Sequence, residues 1–220
     1  MMAVVDDPEG KGCAYASKEG GGCQFTLAAH ELVAFDGKHW CPFHLPMTQK
    51  TSWEEAKVET FNRAIFDFIE DANQKNRIAD FTGVVFPGPI SFEHFLTAER
   101  PLREIKFIGA TFSGEAGFRN ATFSGEAGFQ DATFSGDAGF QNATFSAHAE
   151  FQNATFSLDA EFQNATFSDY ARFENATFSG DADFSCSSGT SKASSDIALA
   201  HDAFGHSNHC KWDPVRRCRF

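Results

Sequence analysis

The chain has 220 residues and a formal net charge of −12, from 18 Lys and Arg against 30 Asp and Glu. That balance argues against a nucleic-acid backbone as its main partner. With no run of about 18 apolar residues, no transmembrane helix or membrane association is expected. The start, MMAVVDDPEGKG, lacks the basic and apolar regions of a signal peptide. A cytoplasmic setting is therefore the expectation. Disulfides are disfavoured there, so the six cysteines invite a metal reading for at least some of them.

Residues 1–50 read as a Cys/His module holding Cys13, Cys23, Cys41 and His44. Its most pointed piece is His39-Trp40-Cys41-Pro42-Phe43-His44-Leu45-Pro46. The spacing Cys41-x2-His44 lets one turn supply two zinc ligands, and Cys13 and Cys23 would complete the set. Three thiolates and one imidazole close a tetrahedral structural zinc site and leave no position for water. A segment this short has too little core to fold unaided, which favours a metal staple. His30 and His39 are spare candidates. The plainer account is buried free cysteines in a loop-rich cap.

Residues 51–77 follow as an amphipathic helix spanning 52–75. Ser52-Trp53-Glu54-Glu55 reads as a capping box at its start. Phe61, Ile65, Phe68, Ile69 and Ala72 fall on one apolar stripe. The open end of a repetitive fold exposes core and strand edges, so the helix is expected to cover such an end.

From Phe107 the sequence becomes periodic. Phenylalanines recur at gaps of five and six: Phe107, Phe112, Phe118, Phe123, Phe129, Phe134, Phe140, Phe145, Phe151, Phe156, Phe162, Phe167, Phe173, Phe178 and Phe184. On a helix such steps give no common face, and a flat strand needs period two. A coil that turns a corner every five or six residues satisfies the pattern. From Phe112 onward each Phe is preceded two places earlier by Ala, from Ala110 to Ala182. In an extended side these two residues share a face, so each side turns a small and a large residue inward and lets the sides converge on a filled interior. Thr111 and Ser113, flanking Phe112, must then point outward.

These residues resemble the pentapeptide repeat family, whose unit centres on an apolar residue with Ala two places before it. ATFSG and AGFRN are two such units, separated by Glu115. The resemblance implies a mainly β fold: a right-handed quadrilateral β-helix over residues 78–186. The residue inserted after every second unit lengthens the coil to about 22 residues, more than four plain units would need. The front segment is likewise similar to small Cys/His zinc modules that precede the solenoid in some family members. Phe81, Phe86 and Phe92 repeat the spacing, so the first coil is expected to begin near Ala79. The stretch 93–104, with Pro101, breaks the register and is expected to bulge as a surface loop.

Repetition also generates Asn-Ala-Thr at Asn120, Asn142, Asn153, Asn164 and Asn175. These are read as corners, where Asn tolerates left-handed backbone, rather than as glycosylation sites. Residues 187–220 form a Ser-rich tail with His201, His206, His209, Cys210 and Cys218. It is expected to be poorly ordered apart from a short helix near residues 197–204.

On the outside, the inserted residues Glu115, Asp137, Asp159 and Asp181 stack along one corner as an anionic column, opposed by Glu126, His148 and Tyr170. Between Ile105 and Phe184 there are eleven acids against Lys106, Arg119 and Arg172, a net of −8. The plainer account is a solubilising ridge. A sharper account, implied by the gyrase-protecting members of the family, is a DNA mimic that binds a DNA topoisomerase. Thr111, Thr133, Thr155 and Thr177 form an outward column, the remote signature of an ice-binding surface. The repeats offer no Ser/His/Asp or Cys/His constellation at catalytic spacing, and identical coils give no unique cleft. The expected class is a non-enzymatic scaffold or interaction protein whose partner is another protein. The sequence does not name that partner or the oligomeric state.

Overall fold

The computed structural model describes residues 12–18, 20–25, 31–185 and 187–189. The early module is short of regular structure: a hairpin of β1 (Val33–Phe35) and β2 (Lys38–Trp40), turned at Asp36 and Gly37. Both turn residues have positive φ, which suits a tight two-residue hairpin loop. Helix α1 (Glu55–Gln74) follows.

Beyond Ala79 the chain winds into a solenoid. Two- and three-residue strands stack in parallel with their equivalents one coil away, forming three sheets of five strands and one of four. Thr133 and Phe134 pair with Thr111 and Phe112 on one side and with Thr155 and Phe156 on the other. Equivalent corner residues such as Asn120 and Asn142 are 22 residues apart, which is the length of one coil, and the sequence unit is half of it. Two sides carry Thr-Phe strands. The two between them carry Ala followed by a variable outward residue.

The Ala-x-Phe pattern accounts for the interior. Every such Ala and Phe from Ala110 to Phe173 is at most 3% exposed. The rings form parallel stacks along the axis: Phe140 lies 4.7 Å from Phe118 and 4.7 Å from Phe162, within 6° of parallel. Across the interior they meet edge to face, Phe140 against Phe129 at 5.6 Å and Phe151 at 5.5 Å. Both arrangements suit the ring quadrupole. Small Ala beside large Phe leaves no tunnel.

At the corners, Asn120, Asp131, Asn142, Asn153, Asn164 and Asn175 all have φ of 57 or 58°. Asn and Asp accept this left-handed conformation at lower cost than other residues with a Cβ. Their side chains form their own ladder, with Asn142 Nδ2 donating to Asn120 Oδ1 at 3.0 Å and Asn175 to Asn153 at 3.3 Å.

Three expectations need correction. The helix does not begin with a capping box: Glu54 is the N-cap, and no side chain caps the turn. The segment before it is held differently. A turn in which the Trp53 N–H reaches Lys50 O lays Trp53 against Phe61 at 6.1 Å, so an apolar contact sets the entry angle. Second, the stretch 93–104 is not wholly on the surface. Leu96 and Leu102 are 1% and 6% exposed, and Leu96 O accepts the Thr122 N–H at 2.8 Å. These leucines plug the side on which the first coil has no strand, which is why the fourth sheet begins one coil late. Third, coil pairing runs past 186, with Ser188–Gly189 beside Thr166–Phe167. The tail's His and Cys residues and its expected helix lie outside the described residues.

Helix α1 lies across the first coil. Phe61, Ile65, Ile69 and Ala72 are buried, while Phe68 is half-buried. Phe61 meets Phe86, Phe66 meets Phe92, and Phe68 meets Phe81. No helix among the described residues is long and apolar enough to cross a membrane.

Candidate metal centre

The four candidate ligands converge, although Cys13 and His44 are 31 residues apart in the chain. Cys13 Sγ, Cys23 Sγ, Cys41 Sγ and a ring nitrogen of His44 all lie within 4.8 Å of one another. Cys23 and Cys41 sulfurs are 3.6 Å apart. His44 Nδ1 is 3.2 Å from Cys41 Sγ and 3.7 Å from Cys13 Sγ. The edge of a tetrahedron built on zinc–sulfur bonds of about 2.3 Å is ~3.7 Å, so these spacings suit one small tetrahedral ion. Cys41 and His44 are buried; Cys13 and Cys23 are half-buried.

Local backbone explains the convergence. Residues 41–45 form a tight turn, with the His44 and Leu45 N–H groups on Cys41 O at 3.2 and 2.9 Å, so a two-residue gap sets two donors on one side. The Ala14 N–H bonds His39 O at 2.7 Å, drawing Cys13 alongside. Each sulfur also accepts a backbone N–H: Cys13 from Cys41 at 3.3 Å, Cys41 from His44 at 3.4 Å, and Cys23 from Phe25 at 3.4 Å. Such donors favour the thiolate, the form that binds metal.

The imidazole is oriented for the same purpose. His44 Nε2 lies 3.0 Å from Thr82 O. Donation to that carbonyl puts the proton on Nε2 and leaves the Nδ1 lone pair facing the sulfurs, a common second-layer arrangement for a ligating histidine. Tyr15 stacks on the ring at 3.9 Å, nearly parallel to it. Gly83, at φ +71°, makes room for it, since a Cβ there would fall 2.2 Å from the Tyr15 ring.

Their proximity shifts the titration of Cys13, Cys23 and His44. Hydrogen bonds with Cys23 and Cys41 push the Cys13 thiol down, while hydrogen bonds with Cys13 and Cys41, together with burial, push Cys23 up. Burial works against the His44 cation, yet hydrogen bonds with Cys13 and Cys41 carry its pKa up to about 9.

The module also caps the solenoid, through residues that the sequence did not single out. The outward N–H and C=O of Val85, on the edge of the first coil, are both satisfied. Phe43 O accepts the N–H at 2.9 Å, and Lys50 Nζ donates to the C=O. The Lys50 ammonium also reaches Phe43 O at 3.3 Å and sits over the rings of Phe61 and Trp53, although the residue is only 1% exposed. Asn62 Nδ2 donates to Pro89 O at 2.9 Å on the next side. Lysine is ordinarily a surface residue, so nothing in the sequence marked this one. Of the spare ligands, His39 lies in β2, and His30 is outside the described residues.

The anionic column is exposed, as Glu115, Asp137, Asp159 and Asp181 all face solvent. It also has internal bonds: Asp137 Oδ1 accepts the Asp159 N–H at 3.3 Å, and Asp159 Oδ1 accepts the Asp181 N–H at 3.0 Å. These carboxylates stitch one coil to the next.

A filled four-sided parallel solenoid of Ala-x-Phe sides defines a repeat protein. The family described as Pentapeptide repeats (9 copies) matches residues 107–155 and 140–185, so this stretch of the solenoid is built of pentapeptide repeats. No match to the chain was found among curated proteins or among solved structures.

Proposed function

We propose that the chain is a non-enzymatic scaffold: a rigid rod that presents surface to a protein partner, closed at its first coil by a structural zinc site of Cys13, Cys23, Cys41 and His44. The observation that carries the scaffold reading is the filled interior, with ring against ring and Ala against Ala from coil to coil. A repeat of this kind leaves recognition to its outer surface. The zinc reading is supported by a donor set that is complete at four, with imidazole tautomer and thiolate donors suited to a closed site. A bound ion would supply charge neutralisation for three clustered thiolates.

Metal analysis of the purified full chain tests the second part. About one zinc per chain is expected, falling towards zero in Cys41→Ser and His44→Ala. Zinc near zero in the unaltered chain ends the reading. Affinity capture from the native cell, followed by reconstitution with the purified candidate, tests the first; failure to retain any partner counts against it. The anionic-mimic account has the net charge of the repeat in its favour and makes its own prediction, inhibition of purified gyrase at micromolar protein. Unchanged supercoiling excludes it.

A further inference from the structure

The metal cluster and the edge cap share one turn. Cys41 opens the turn that ends at His44. Between them Phe43 holds the Val85 N–H, and His44 holds Thr82 O. Whatever moves the Cys41 sulfur therefore bears on the bonds that close the first coil. Cys41 is fully buried, but Cys23 is half-buried, and their sulfurs are 3.6 Å apart.

We propose that Cys23 and Cys41 form an oxidisable pair. Peroxide converts them to a disulfide, expels the metal and loosens the cap from the first coil. This inference rests on the zinc reading. Cys23 is the reachable member, so its sulfur attacks the peroxide. The O–O bond breaks, a sulfenic acid forms and hydroxide leaves. The Cys41 thiolate then attacks the Cys23 sulfur, the S–S bond forms, and the sulfenic oxygen departs as water once protonated. In sum, two thiolates, two protons from solvent and one hydrogen peroxide give one disulfide and two waters. The ion loses two of its four donors and two negative charges, and a Cys/His remnant holds zinc poorly. Closing 3.6 Å to a bond of about 2.0 Å pulls Cys41 away from the His44 side of the cluster.

The experiment uses the zinc-loaded full chain titrated with hydrogen peroxide. Released zinc is followed with a chromogenic chelator, disulfides by peptide mass spectrometry, and amide exchange at Val85 by mass spectrometry. The expected result is a Cys23–Cys41 disulfide growing in step with zinc release to about one equivalent. Exchange at Val85 should rise at least tenfold, and all three changes should reverse on adding thiol reductant and zinc. Cys23→Ser should leave Cys41 unoxidised at the same peroxide dose. Zinc retained at a dose that oxidises other cysteines of the chain overturns the inference, as does a different pairing or unchanged Val85 exchange. If the reduced chain holds no zinc at the outset, it is the metal reading that has failed.

Discussion

At the scale of single residues, two positions show what the fold asks of side chains. Asn142 sits at φ 57° and joins the corner ladder. Asn142→Ala is expected to lower stability by about 1 kcal/mol, from the left-handed strain on a residue that cannot bond locally. Asn142→Gly should cost less than the alanine. Urea unfolding of both variants checks this, and equal loss in the two would show that the backbone conformation is not the cause. Lys50 is the opposite case. Burial pushes its pKa down to about 7, with Cys41 pulling it the other way. A lysine lowered from the unfolded value of about 10.4 binds fewer protons folded than unfolded between those two limits. Its contribution to stability therefore rises as pH rises from about 7 to about 10, and is at its lowest below 7. The stability difference between wild type and Lys50→Met should shift in favour of wild type across that window. Urea midpoints at pH 6.5, 8 and 9.5 measure it, and parallel profiles would count against the buried charge. The corner Asn residues were legible in sequence because their chemistry matches a local conformation. Lys50 was not, since its burial depends on Phe43, Trp53 and Phe61 arriving from three separate segments.

At the scale of elements, the sides of the coil were legible and the junctions were not. Ala two places before Phe dictates which residues turn inward wherever the chain is extended, so Phe112 to Phe184 could be assigned without a structure. Phe140→Ala, among the rings of Phe118, Phe129, Phe134, Phe145, Phe151 and Phe162, is expected to cost about 3–5 kcal/mol. Thermal unfolding reads this directly; a loss under about 1 kcal/mol would mean that the stacks relax around the gap. The helix start and the stretch 93–104 misled for a common reason. Ser52 and Pro101 carry strong local signals, but tertiary contacts decide. The turn at Lys50 displaces the capping box, and a missing strand in the first coil draws Leu96 and Leu102 inside. The four metal donors were legible as residue types. The seating of His44 by Thr82 O and the Tyr15 ring was not, because both reach it from distant points in the chain. Gly83→Ala should therefore weaken zinc retention as well as stability, by displacing Tyr15 from His44. Competition with a chelator measures that, and unchanged zinc affinity would separate Tyr15 from the site.

At the scale of the whole molecule, stability is a sum of similar rungs closed by a dissimilar end. Contacts run between each coil and its neighbours, as expected for a quasi-one-dimensional protein. Removing zinc from the full chain should lower the unfolding temperature and speed exchange first in the residues nearest Val85, then less in coils farther along. Hydrogen exchange with and without chelator shows that gradient, and a uniform effect along the rod would argue against the module acting as an end cap. The exact stacking of coil on coil has a further consequence for length. Because Phe134 repeats the place of Phe112 and every other side follows suit, one whole coil, such as the stretch 134–155, is an exchangeable spacer. Adding or deleting one moves the two ends by about 4.8 Å without turning any face. The distance between the two ends of the rod is thus set in discrete steps, written in the number of coils.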